Sequence, residues 1–166
     1  MLARYDHVYI PTPPREPEID SRFLTDSGRS YLSEAQNVLD FVTSQPALGL
    51  SRGGFITDPK EQHIQGPEFD LKGIATSLAW LDSGQAGFLG SPTAKSAIGS
   101  YQGKHIAERW GRATGFTPYV SNGDFAAAMI FRHVRYKKDG GRSPNCRFAL
   151  KLLKHARDWH RESYRR

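Results

Sequence analysis

The sequence predicts a mainly α protein: one compact domain of about five helices, residues 21–166, behind an extended proline-rich arm, residues 1–20. Three observations predict it. The chain has 166 residues, the length of a single ordinary domain. Apolar residues recur at helical spacing in several separated segments. One segment, Phe125–Phe131, is apolar on every side and long enough to be the helix around which the others gather.

The arm carries Pro11, Pro13, Pro14 and Pro17, which remove backbone donors and disfavour helix in the residues before them. Alternation over Tyr5–Ile10 suggests a short strand within it. A first helix fits Gly28–Ser44, where Tyr31, Ala35, Val38 and Val42 share one face and Gln45-Pro46 stops the run. A second fits Glu68–Asp82, with Leu71, Ile74, Ala75 and Leu78 on its inner face and Ser83-Gly84 after it. Gly84, Gly87 and Gly90 follow at a spacing that matches neither a dinucleotide loop nor a phosphate loop.

A third helix fits Pro92–Arg112, with proline at its first position. Gly99, Gly103, Ile106, Ala107 and Trp110 form its inner face; Tyr101, His105, Glu108, Arg109 and Arg112 form the opposite one. The fourth helix is expected from Ser121 or Asn122, with Asp124 in its first turn, through the apolar segment and a basic extension at Arg132–Lys138. The last is expected over Asn145–Tyr164. Ala149, Leu152, Leu153, Ala156, Trp159 and His160 would centre on one side, and Arg147, Lys151, Lys154, Arg161 and Arg165 on the other.

Charge points to function more directly than any motif does. The net charge is +6, but residues 1–131 sum to −3 and residues 132–166 to +9. A basic block at one end suits an anionic partner, nucleic acid first and an acidic protein surface second. The expected contacts are Arg142, Arg147, Lys151, Lys154, Arg161 and Arg165, with Tyr136 and Tyr164 available to stack on single-stranded bases. The Tyr101–His105–Arg109–Arg112 face is a second expected contact surface.

Enzymatic readings are weaker. His105 and Glu108, three apart on a helix, could form a base and its orienting carboxylate, but no recognisable nucleophile accompanies them. Ser91-Pro-Thr-Ala-Lys95 has the wrong spacing for an S-x-x-K site. His155 and His160 have a spacing seen in zinc sites, but Cys146 is the single cysteine and no second pair completes the set. No catalytic residue, metal or cofactor is expected. The first residues, Met1–Pro17, contain no apolar stretch of a secretory leader, and the longest apolar run falls far short of a membrane span, so a cytoplasmic protein is expected.

Two segments, Ser100-Tyr-Gln-Gly-Lys-His-Ile-Ala-Glu-Arg-Trp110 and Tyr119-Val-Ser-Asn-Gly-Asp-Phe-Ala-Ala-Ala128, with Ser143-Pro-Asn145 downstream, resemble a helix–loop–helix pattern of small uncharacterised proteins from bacterial plasmids, prophages and genomic islands. The resemblance covers about residues 90–150. It departs at Gln102, where the pattern has glycine, and at Gly103, where it has an apolar residue. It implies mobile-element biology and brings no catalytic residue. The function expected is that of a non-enzymatic phage or mobile-element protein docking a basic C-terminal surface on nucleic acid or a nucleoprotein. An inhibitor of a host defence system, such as an anti-CRISPR protein, is the specific form; a sequence-specific DNA-binding regulator is the alternative.

Overall fold

The computed structural model describes residues 17–58 and 69–163. These contain helices α1 (Asp26–Ser44), α2 (Leu71–Asp82), α3 (Ser100–Thr114), α4 (Asn122–Phe131) and α5 (Lys154–Ser163). They also contain short strands β1 (Leu50–Ser51), β2 (Gly54–Phe55), β3 (Ala86–Phe88), β4 (Ile98–Gly99), β5 (Tyr136–Lys138), β6 (Cys146–Phe148) and β7 (Leu150–Leu152). The protein is mainly α with small sheets. The strands pair antiparallel as β1–β2, as β3–β7 and as β4–β6–β5. Among the described residues no helix is long and apolar enough to cross a membrane.

The first two helices follow their sequence signals. Thr25 caps α1 by accepting a hydrogen bond from Gly28 N, and Ala35, Val38 and Val42 are buried on the expected face. Asp70 caps α2 by accepting from Lys72 N. Glu68, the expected first residue of that helix, lies outside the described residues, as does the strand expected at Tyr5–Ile10. The end of the arm is tied down: Asp20 accepts from Lys72 Nζ at 2.6 Å, and Arg22 N donates to Gly115 O.

Helix α4 is the centre of the core. Phe125, Ala127, Ala128 and Met129 are fully buried. A capping box closes its N-terminus: Ser121 Oγ accepts from Asp124 N while the Asp124 carboxylate accepts from Ser121 N. Asp124 also accepts from Asp70 N, which fixes the start of α2 against the start of α4. Burial pushes its carboxyl above the usual range, against the pull of these hydrogen bonds. Phe125 joins three elements. Its ring lies 5.6 Å from Trp80 of α2 and 5.9 Å from Phe148 of β6, and Gly103 of α3 packs directly on it.

Three expected elements are corrected. Helix α3 begins at Ser100, not Pro92. Ser91 Oγ instead accepts from Thr93 N in a local turn, and Ile98 is buried by pairing with Phe148. Helix α4 stops at Phe131 and does not continue through Lys138. His133 takes a left-handed conformation (φ 56°), Val134 N reaches back to Met129 O, and the chain leaves as β5. The helix expected over Asn145–Tyr164 is two strands followed by α5. Cys146, Phe148 and Leu150 are buried while Arg147 and Lys151 are exposed, the alternation of a strand; the expected helix face of Ala149, Leu152 and Leu153 leaves this period-two burial out.

Candidate nucleic-acid interface

Helix α3 is amphipathic. Its inner face is fixed by Gly103, Ile106 and Ala107 in the core, so Tyr101, His105, Glu108, Arg109 and Arg112 face outward or sit at the boundary. Helix α5 is short and strongly two-sided, anchored by the buried Ala156 and His160. The two helices border a cleft of about 1160 Å³. His105, Glu108, Arg109 and Arg112 line it from α3, and Arg157, Trp159, His160 and Arg161 line it from α5.

Two histidines in this cleft are held in opposite ways. His105 Nδ1 donates to Glu108 Oε2 at 2.7 Å, and the Tyr101 ring meets the imidazole edge-on at 4.7 Å. Glu108 is itself fixed: Oε1 accepts from Val120 N at 3.2 Å and from Lys104 Nζ at 3.4 Å. With a carboxylate on Nδ1, the other ring nitrogen of His105 is left as an acceptor in the neutral ring. His160 is buried, 5 % exposed, and its Nδ1 lies 3.3 Å from Arg109 Nη1. Guanidinium can only donate, so Nδ1 is the acceptor and the proton of the neutral ring sits on Nε2. That Nε2 is buried and has no partner among the described residues. Burial first, and the Arg109 charge second, hold the His160 pKa down to about 4.

A pH dependence follows. The folded pKa lies below the unfolded value of about 6.5, so the unfolded chain takes up the proton first as pH falls. The contribution of His160 to stability is complete above about pH 6.5 and declines toward pH 4. Arg109 of α3 faces the ring directly, and Trp159 stacks edge-on against it at 4.6 Å. Thermal melts between pH 7.5 and 4.5 are expected to fall more steeply for the native protein than for His160→Gln. Parallel curves would show that His160 binds its proton equally in the folded and unfolded states.

The expected contact residues divide between this cleft and other surfaces. His105, Arg109, Arg112 and Arg161 come together in the cleft, with Tyr101 against His105 at its edge. The single basic helix face expected over Arg147–Arg165 does not exist. Arg142 is in the turn between β5 and β6, Arg147 is on β6, and Lys151 is on β7 opposite Gly87. Lys154 is on α5 but is ion-paired with Asp158 at 2.7 Å. None of these four lines the cleft. Arg165 and Tyr164 lie outside the described residues. Tyr136, expected to stack on bases, is turned inward and stacks on Phe55 at 5.6 Å.

Arg157, Trp159 and His160 are cleft residues that the sequence reading did not select. Trp159 and His160 lie on the side of α5 expected to face the core, and that side borders both core and cleft. Cys146 is fully buried, and burial pushes its thiol up to about 12, so it supplies no thiolate at neutral pH. No family model matches the chain, and no curated protein or solved structure is significantly similar to it.

Proposed function

We propose that this is a non-enzymatic binding protein of a phage or mobile element that seats nucleic acid, alone or in a nucleoprotein complex, in the cleft between α3 and α5. One observation carries the reading: Arg109 and Arg112 from α3 and Arg157 and Arg161 from α5 converge on one cleft. Each guanidinium stays charged at any working pH and matches phosphate geometry. Trp159, half-buried in the same lining, offers a flat face for base stacking. A single strand, with splayed bases and a flexible backbone, suits such a cleft better than a rigid duplex. Inhibition of a host defence complex, as by an anti-CRISPR protein, is the specific form of this proposal, with the nucleic-acid channel of that complex as the competing surface.

The test is fluorescence anisotropy with a labelled single-stranded oligonucleotide and its duplex at several salt concentrations. Neutralising four phosphates of a single strand predicts a log–log salt slope of about −3, or roughly a 60-fold loss of affinity from 50 to 200 mM salt. A flat salt response, or tight binding only to a nuclease-resistant protein complex, would replace the nucleic-acid reading with a protein partner.

A second reading, a small enzyme using His105 as base and Glu108 to orient it, is favoured by the 2.7 Å bond between them at the cleft wall. Under that reading His105→Ala abolishes turnover of a bound strand while its affinity is unchanged. The DNA-binding regulator has less support: strands β5, β6 and β7 separate α4 from α5, so these two helices form no helix-turn-helix.

A further inference from the structure

The sheet β4–β6–β5 has an inner and an outer face. Ile98, Phe148 and Tyr136 stand side by side on the inner face, against the core. One register step away, on the outer face, Lys137 of β5 lies directly opposite Arg147 of β6, with Gly99 of β4 on the other side. Both cations are exposed. Paired positions of this kind hold their Cα atoms about 5.5 Å apart, and like charges there are destabilising. Among the described residues no carboxylate pairs with either one. Arg147 is also held in place: Nη2 donates to Ala97 O at 3.1 Å, on the β4 side of the strand. Arg135 and Arg142 flank the pair, both exposed, with Asp139 as the acidic residue of the hairpin.

We propose that this outer face is a second contact surface for nucleic acid, with Lys137 and Arg147 both contacting the phosphate backbone. Backbone phosphates across the two positions offset the repulsion of the paired cations. The partner is a nucleic-acid backbone because it brings a continuous row of phosphates to a flat, rigid, nearly acid-free platform. The proposal shares its ligand class with the cleft but none of its residues.

The pair makes two predictions of opposite sign for Lys137→Glu. Without nucleic acid, a repelling pair becomes an attracting one, and Tm is expected to rise by about 1–4 °C. In anisotropy at 100 mM salt the same variant is expected to bind the oligonucleotide about 10-fold more weakly, with a shallower salt slope. Lys137→Glu combined with Arg147→Glu restores like charges, so the Tm gain is lost while binding stays weak. A rise in Tm with unchanged affinity would show a strained ladder and no binding surface. A fall in Tm would remove the premise of repulsion. Weakening by Lys137→Glu with full affinity in a cleft variant, Arg112→Glu with Arg161→Glu, would keep this surface and end the cleft reading; the reverse pattern would end this one. Absence of oligonucleotide binding in the native protein, or capture of an acidic protein by this face, overturns it as well.

Discussion

Phe125→Ala is expected to lower the free energy of unfolding by about 3–5 kcal/mol, a large share of the 5–15 kcal/mol typical of a domain. The ring is fully buried and joins α4 to Trp80 of α2, Phe148 of β6 and Gly103 of α3. Its removal leaves a cavity where α2, α3 and β6 meet α4. Gly103→Ala attacks the same junction from the other side. A Cβ at that position overlaps the edge of the Phe125 ring, so the helix or the ring must shift. Such overpacking costs about 1–3 kcal/mol. The two variants are therefore coupled: the cavity left by Phe125→Ala receives the extra methyl, and Gly103→Ala costs less in that background. Urea unfolding of the four proteins in the cycle measures this. A loss below about 1 kcal/mol for Phe125→Ala, or strict additivity, would mean that the junction is less tightly packed than its geometry indicates.

The same junction organises the segment from Ser100 to Ala128 together with Asn145. At Gly103 the Phe125 ring allows no side chain. Ser100 accepts a hydrogen bond from Cys146 N, and Asn122 donates to Asn145 Oδ1 and to Gly53 O. Glu108 holds Val120 N, and Ser121 and Asp124 form the capping box. These residues bind α3, α4 and the β6 strand into one unit. Tyr101, His105 and Tyr119 of this segment are left at or near the surface.

What the sequence made legible was what local periodicity and capping determine: α1, most of α2, the inner face of α3, and the start of α4 as a buried helix. What it hid depended on long-range pairing. Cys146, Phe148 and Leu150 satisfy both a strand period and part of a helix period, and the choice is made by Ile98 and Phe88, about 50 to 60 residues away in sequence, which supply the partner strands. Once that stretch is strand, the supposed single basic face separates into a sheet surface and a cleft. The convergence of Arg109 and Arg112 with Arg161 could not be read from either helix alone, because it is set by how α5 turns back from β7 to bring His160 against Arg109.

The largest functional effect is expected from Arg112→Glu with Arg161→Glu. Both residues line the cleft and both are exposed, so their replacement should change stability by less than about 0.5 kcal/mol. Each reversal removes a charge-assisted contact worth about 1.5–3 kcal/mol and sets a carboxylate against phosphate. Together they predict a loss of about 100-fold or more in oligonucleotide affinity at 100 mM salt, and a salt slope shallower by about 1.4 for a single strand. The informative control is Lys151→Glu with Lys154→Glu, which makes the same change in net charge outside the cleft. Lys151 projects from β7, and Lys154 is already engaged by Asp158. If affinity came only from the overall +6 charge, the two double variants would weaken binding equally. If it comes from the cleft, the control loses no more than about threefold, the effect of altered long-range field at that ionic strength. Equal losses would assign the binding to the general basicity of the C-terminal region. An unaffected Arg112/Arg161 variant with native melting behaviour would leave the cleft without the role proposed for it.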